Sequence, residues 1–292
     1  TVLMLTGGYA PCLPTWPICE IKLQGKKDGY ETDDLVLFVE DHISKERRKL
    51  LCQIKRKISI TKDNTKFSEV IHAAWRDFKN PSLFTKNKDA IALIVGFLSE
   101  TDYTNVVWLL DQAKATNDTQ DLFRRIEKAK FSPPKSQEKL EVFQHHLKQA
   151  NNNKDISDEE LHDFLRNFHI LIYDLGKETG VILSLLHSHI SQFNKDIPEF
   201  IWSRIVDFIQ SSNQVAGVIT IADIPEVIRN FFKSPKLQYI PEDFSYPTTI
   251  SDQLVWTEGE GGPAIAIINL IGAWDNANEA DVSTINDMLG KL

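Results

Sequence analysis

The spacing of apolar residues predicts three buried strands and one amphipathic helix near the start of the chain. Apolar side chains recur through DDLVLFVE (33–40), LLCQIKRKISI (50–60) and DAIALIVGFLS (89–99). Short runs with apolar residues on both faces are typical of strands inside a protein. Before the third run, FSEVIHAAWRDF (67–78) repeats apolar positions every three or four residues, which indicates a helix with one buried face.

The residues before the first strand are predicted to be mostly irregular. GGYAPCLPTWP (7–17) is too rich in glycine and proline for a regular element, and only ICEIKLQ (18–24) is predicted as a short helix. The first two strands are predicted to form an antiparallel hairpin that pairs 34–39 with 50–55 across the turn DHISKERRK (41–49).

Two predicted helices follow the third strand, and the region after SPPKS (132–136) is predominantly helical. The predicted helices span 102–115, 118–131, 137–150, 157–175, 178–193, 197–214 and 224–232. Ser157 and Glu160 have the spacing of a capping box at the start of the fourth of these helices. The tail differs again, with a strand predicted at 264–274 and a helix at 278–292.

The order strand, strand, helix, strand, helix is typical of an α/β fold. The stretch SPPKS (132–136) marks the change to helical character. We therefore predict an α/β core over 1–130, a predominantly helical region over 131–245, and the start of a following module or linker at 246–292.

Polar residues end the first two predicted strands. The predicted pairing sets Asp34 opposite Lys55, and Gln53 shares a strand face with Lys55 because the two are two residues apart. Metal-dependent phosphodiester cleavage needs a carboxylate on the metal, a second oxygen ligand, and a cation beside the attacking water or the phosphate. Asp34, Gln53 and Lys55 supply these groups. The alternative is a surface hairpin that carries an ordinary salt bridge.

The charge of the chain is unevenly distributed. The net charge of −8 argues against a protein that is basic overall, yet the segment 45–66 is locally +7. Such a run is either a solvated face or a surface for nucleic acid, and its overlap with the polar hairpin favours the second interpretation.

Cysteine usage and hydropathy bear on the compartment. The three cysteines show neither a disulfide framework nor zinc-ligand spacing, which indicates a reducing compartment. No apolar run approaches the ~20 residues of a membrane helix, and no signal-peptide pattern is visible. We expect a cytoplasmic protein with no membrane partner.

Four segments of the chain resemble a known nuclease family. They are YETDDLVLF with LLCQIKRK, KDAIALIVGFLSETDYTNVVWLLDQAK, SDEELHDFLRNFHILIYDL, and the tail INLIGAWDNANEAD. Together they are similar to the double-stranded-DNA nuclease domain at the N-terminus of bacterial antiphage STAND ATPases, of the PD-(D/E)xK, or restriction-endonuclease-like, group. The resemblance covers most of the chain from about Gly29. It implies a restriction-endonuclease-like core, a mixed sheet flanked by helices, followed by a predominantly helical region.

The resemblance also implies an activity and residue roles. The protein would be a Mg²⁺-dependent endonuclease, with Mn²⁺ able to substitute, that cuts double-stranded DNA with little sequence preference. Asp34 would carry the metal, Gln53 would be the second ligand, Lys55 would be the catalytic lysine, and Glu31 would assist. Asp33 and Asp34 are interchangeable in this assignment.

The chain departs from the family in two places. Gln53 replaces a glutamate, which removes one negative charge and weakens metal binding. The prolines of 7–17 exclude the helix that carries a polar residue near the site in the family, and Glu20 is one replacement for that residue.

Five basic residues are expected to contact DNA phosphates without reading sequence. Arg47, Arg48 and Lys49 are placed at the predicted hairpin tip, and Arg56 and Lys57 beside Lys55. The partners implied by the resemblance are double-stranded DNA, a C-terminal or associated STAND NTPase module, and a second copy of the chain upon activation. No phosphate-binding Gly-Lys-Ser/Thr motif for ATP is present in TEGEGGP (257–263).

Two other functions stay open at this point. One is a non-catalytic nucleic-acid-binding or interaction module on the same fold. The other is a structural linker domain whose basic hairpin contacts an acidic partner.

Overall fold

The computed structural model describes residues 1–128, 130–176, 180–194 and 197–233. Within these ranges one sheet contains six strands in the order β5-β4-β3-β2-β1-β6. The strands are β1 (Ile18–Leu23), β2 (Leu35–Glu40), β3 (Arg47–Lys55), β4 (Ala90–Val95), β5 (Phe168–Ile172) and β6 (Val218–Ile219). Strands β6, β1, β2 and β3 pair antiparallel, whereas β3, β4 and β5 pair parallel, so the sheet is mixed.

Ten α-helices accompany the sheet in the described ranges. They are α1 (Val2–Thr6), α2 (Thr65–Lys79), α3 (Glu100–Asp102), α4 (Trp108–Ala115), α5 (Thr119–Glu127), α6 (Ser136–Ala150), α7 (Asp158–Asn167), α8 (Val181–Phe193), α9 (Pro198–Gln214) and α10 (Glu226–Phe231). A π-helical turn, Tyr103–Val107, joins α3 to α4. Side-chain caps define several starts: Asn64 accepts from the Phe67 N–H, and Ser157 accepts from the Glu160 N–H.

The two faces of the sheet are covered by different helices. Alternation along β2, β3 and β4 directs Val36, Leu51 and Leu93 to one face, where they join a core with the buried sides of α2, α4, α5, α6 and α7. The opposite face of β1, β2 and β6 packs against α1, α8, α9 and α10. The α/β architecture is therefore a mixed sheet between two helical layers, as expected.

One predicted helix and the last part of another prove to be strands. ICEIKLQ forms β1, because Ile21 and Leu23 are buried while Lys22 turns to the other face, and an irregularity between Ile18 and Glu20 preserves this alternation. The helix predicted over 157–175 ends at Asn167, and FHILI continues as β5 beside β4. A short apolar run fits the spacing of a helix as well as that of a strand, and pairing with a neighbouring strand decides between the two.

The region predicted to be helical thus contributes to the sheet. Residues 131–233 supply β5 at one edge and β6 at the other, and the described residues form one compact unit. The segment 246–292, with the predicted strand at 264–274 and helix at 278–292, lies outside the described residues. Among the described helices, none has the length and apolar character needed to cross a membrane.

Candidate active site

The β2–β3 hairpin brings Asp34, Gln53 and Lys55 together. Leu35 pairs with Cys52, so Asp34, one residue earlier, lies across from Gln53. The predicted pairing of Asp34 with Lys55 was wrong by two residues. A shift of two leaves all three side chains on the same face of the sheet, because side-chain direction repeats every second residue.

One oxygen of Asp34 is the centre of the site. Asp34 Oδ2 accepts hydrogen bonds from Gln53 Nε2 at 2.5 Å and from the Ile54 N–H at 2.6 Å. Lys55 Nζ lies 4.0 Å from the same oxygen. The side chains of Asp34 and Lys55 are 35% and 27% exposed, so both the carboxylate and the ammonium are accessible to a substrate.

The neighbouring Asp33 does not share these contacts. Partial burial raises the pKa of Asp33, and the negative charges of Asp34 and, less strongly, Glu31 raise it further. The carboxylate that contacts Gln53 and Lys55 is that of Asp34.

A buried acid that the sequence reasoning missed holds the loop before Asp34. Asp77 on α2 is 1% exposed and accepts hydrogen bonds from the Glu31 N–H at 3.0 Å and the Thr32 N–H at 2.6 Å. Burial raises the pKa of Asp77, which these hydrogen bonds oppose. The available signal was an acid three residues after Ala74 on the apolar stripe of a predicted helix.

Glu31 faces α2. Its carboxylate lies 3.6 Å from Arg76 Nη1, and among the described residues it makes no direct contact with Asp34, Gln53 or Lys55. Glu20, the suggested replacement for a missing polar residue, pairs with Arg47 at 2.9 Å and lies beside Phe38, four residues along β2 from Asp34. Neither acid therefore touches the three central residues.

The oxygens of the site fit a divalent cation of the Mg²⁺ type. Asp34 Oδ1 and Gln53 Oε1 accept no hydrogen bond from any described residue. Mg²⁺ is commonly held by one or two carboxylates and keeps several waters, and an amide oxygen is an acceptable hard ligand. No cluster of three or more His, Cys, Asp and Glu side chains suited to a metal occurs in the described ranges. The remaining ligands would thus be waters and a substrate phosphate.

Three of the predicted DNA-contacting residues lie inside β3. The turn between β2 and β3 covers only 41–46, so Arg47, Arg48 and Lys49 belong to the strand and not to the hairpin tip. Each faces an acid within the fold: Arg47 with Glu20 at 2.9 Å, Arg48 with Glu46 at 3.3 Å, and Lys49 with Asp89 at 3.6 Å. Because a strand rises about 3.3 Å per residue, Lys49 is about 20 Å from Lys55.

Arg56 and Lys57 are the basic residues beside the site. Both follow β3 directly and are exposed. Lys57 Nζ lies 5.5 Å from the centre of the Phe97 ring, and Arg56 makes no ion pair within the described residues. Their charges are consequently available to a phosphate backbone that reaches Lys55.

No protein-family model, curated protein or solved structure matches the chain.

Proposed function

We propose that the chain is a metal-dependent DNA endonuclease that hydrolyses backbone bonds of double-stranded DNA with little sequence preference. The observation that carries the proposal is the convergence of Asp34, Gln53 and Lys55 on one face at the end of β3. An acid, a neutral oxygen donor and a cation within one half-buried site match the needs of phosphodiester cleavage.

Each residue has a definable task in this proposal. Asp34 and Gln53 would hold a Mg²⁺ or Mn²⁺ ion, and the Ile54 N–H fixes the orientation of the Asp34 carboxylate. When bound there, the ion would supply a lowered pKa for an attacking water and would neutralise phosphate charge. Lys55 contacts the scissile phosphate, and Arg56 and Lys57 hold the flanking backbone.

Metal dependence is the first test. Supercoiled plasmid incubated with the full chain should be nicked in Mg²⁺ or Mn²⁺ and left intact in EDTA. Asp34→Asn keeps the shape of the side chain but removes its charge, so we expect cleavage to fall by about 100-fold or more. Asp28→Asn, a partly exposed acid paired with Lys22 at 3.3 Å, is the matched control and should cleave normally. Cleavage that persists in EDTA would contradict the proposal.

One observation favours a second candidate function. Asp34 Oδ2 is already satisfied by Gln53 and Ile54 within the fold, as in a structural pair, and Gln53 lacks the charge of a second metal-binding acid. A non-catalytic nucleic-acid-binding module would retain the exposed Arg56 and Lys57. It would bind DNA in a salt-sensitive way and would not cleave it in any divalent metal.

We further propose a biological role as the effector domain of an antiphage defence system. The support is the resemblance of the four sequence segments to nuclease domains of STAND ATPases. On this proposal the protein acts in the cytoplasm, residues 246–292 lead toward a STAND NTPase module, and oligomerisation through that module brings two sites to opposite strands. Phage are plated on cells that express either the wild-type full-length protein or its Lys55→Ala variant. Equal plaque numbers on the two kinds of cell would count against this role.

A further inference from the structure

A groove of about 590 Å³ opens where β4 and β5 end. Its apolar walls include Gly96, Phe97, Leu98, Tyr103, Ile172 and Val181. Strands β3, β4 and β5 are parallel, so their last residues, Lys55, Val95 and Ile172, lie side by side where the strands end. The carboxyl ends of parallel strands are the usual place for ligands in α/β proteins.

The groove adjoins the candidate active site through the backbone of Gly96. The Gly96 N–H donates to the Lys55 carbonyl at 3.3 Å, and a Cβ on Gly96 would lie 3.1 Å from the Arg56 carbonyl oxygen. The chain after β4 therefore runs directly against the chain after β3. A strand of nucleic acid held at Lys55 is within reach of the groove.

Two aromatic side chains of the groove face solvent. Phe97 and Tyr103 are 46% and 52% exposed. Lys57 Nζ lies 5.5 Å from the centre of the Phe97 ring, a cation–π distance. Exposed rings beside free cations are the combination with which proteins bind unpaired nucleotides: the cations hold the backbone and the rings stack on bases.

The charges around the groove set the direction of such a ligand. Lys55, Arg56 and Lys57 belong to the chain segment that runs against Gly96, with Lys57 beside the Phe97 ring, whereas Glu100 and Asp174 line the groove itself. Asp174 accepts hydrogen bonds from the Val181 and Ile182 N–H groups at 3.0 and 3.1 Å. A phosphate is attracted to the three basic residues and repelled from the two acids, while an uncharged base is not repelled.

We infer that this groove binds an unpaired nucleobase, stacked on Phe97, of the DNA strand whose backbone lies at Lys55–Lys57. The inference rests on the proposed function and narrows its substrate class. A base within a duplex cannot offer its flat face to a protein ring. The preferred substrate is therefore double-stranded DNA that is locally open near the cut, at an end, a fork or a flipped nucleotide.

The test compares two DNA ligands and three leucine variants. The full chain is titrated in EDTA with a blunt duplex and with a duplex carrying a short single-stranded extension that contains 2-aminopurine. For the wild-type protein we expect tighter binding of the extended duplex and quenching of 2-aminopurine fluorescence as the base stacks. Phe97→Leu and Tyr103→Leu should weaken binding of the extended duplex by about tenfold, with little effect on the blunt duplex.

Phe131→Leu is the matched control. Phe131 is 48% exposed and Lys128 Nζ lies 5.7 Å from its ring centre, yet it does not line the groove. This variant should bind both ligands like the wild type. Leucine keeps the apolar character of the groove, so a surface that only docks an apolar protein segment would leave DNA binding unchanged in all three variants.

The outcomes separate this inference from the proposed function. If Phe97→Leu binds and quenches like the wild type while plasmid cleavage stays intact, the base-binding groove is wrong and the nuclease stands. If quenching depends on Phe97 but no metal supports cleavage, the groove stands and the catalytic proposal fails. Absence of any DNA binding would overturn both.

Discussion

At the scale of single residues, the site is defined by what surrounds one carboxylate oxygen. Asp34 Oδ2 receives hydrogen bonds from a side chain and a backbone amide and lies 4.0 Å from the Lys55 ammonium. Gln53, only 8% exposed, donates to this oxygen, whereas a glutamate at the same position would repel it. On the proposed function, the identity of residue 53 therefore couples the stability of the hairpin to metal binding.

Gln53→Glu tests this coupling. Two carboxylates at hydrogen-bonding distance repel each other, so we expect the free energy of unfolding in EDTA to fall by about 1–3 kcal/mol. If the site holds a metal as proposed, Mg²⁺ should restore much of this loss, because a ligand that binds only the folded state stabilises it. The measurement is the melting temperature in EDTA and at several Mg²⁺ concentrations.

The control for this substitution is Gln149→Glu on the exposed surface of α6. It should change the unfolding free energy by no more than about 0.5 kcal/mol and should add no response to Mg²⁺. A Gln53→Glu protein that melts like the wild type, with and without Mg²⁺, would show that residue 53 does not face a metal site.

At the scale of elements, the sequence predicted helices and strands best where the spacing of apolar residues fitted only one of the two. The helix predicted at 67–78 is α2, with Phe67, Ile71, Ala74 and Phe78 buried. The β2–β3 hairpin was predicted correctly, but its register was wrong by two residues. Asp41 closes a tight turn by accepting from the Ser44 N–H and Oγ, which lets β3 begin at Arg47 rather than at Leu50.

Strand β3 also shows what local patterns omit. The charged residues at its start were predicted to lie at the hairpin tip and contact phosphates, yet Arg47 packs over Phe38 and Arg48 over Trp16, each 4.9 Å from the ring centre. Asp77 could be noticed in the sequence only as an acid on an apolar stripe. Its partners, the amides of Glu31 and Thr32, lie 45 or more residues away and follow from tertiary structure alone.

Strand β5 gives a prediction about pH. Burial, helped by the charge of Lys114, lowers the pKa of His169 from 6.5 to about 3. Below pH 6.5 the unfolded chain binds a proton that the folded chain does not, so the folded state loses about 1.4 kcal/mol per pH unit from this residue. Between pH 7 and 5 the loss is about 2 kcal/mol.

Urea denaturation at pH 7 and pH 5 measures this loss. His169→Gln removes the titrating group, so its unfolding free energy should fall by about 2 kcal/mol less than that of the wild type over the same range. His42→Gln, in the exposed turn after β2, should retain the wild-type dependence. An equal fall of the unfolding free energy between pH 7 and pH 5 in the wild type and in His169→Gln would mean that His169 is not buried as described.

At the scale of the whole molecule, the chain is acidic but carries a basic segment at 45–66. The fold separates the arginines and lysines at the two ends of β3. Arg47, Arg48 and Lys49 are compensated by acids at one end of β3. Arg56 and Lys57 are exposed at the other end, beside Lys55 and the aromatic groove. The local charge of 45–66 predicted a basic surface. The folded structure shows which of its basic residues are paired with acids and which are exposed.

A paired measurement of cleavage and binding tests the proposed catalytic role of Lys55. Plasmid nicking in Mg²⁺ and duplex binding in EDTA are measured for the wild type, Lys55→Ala and Lys88→Ala. Lys88 is an exposed lysine paired with Glu46 at 3.0 Å. It lies just before the start of β4, and so at the opposite end of the parallel strands from Lys55.

We expect Lys55→Ala to nick at least about 100-fold more slowly than the wild type, while its duplex affinity changes less than about tenfold. Lys88→Ala should match the wild type in both. Nicking by Lys55→Ala at the wild-type rate, or a loss of nicking fully explained by a loss of binding, would contradict a catalytic lysine at this position.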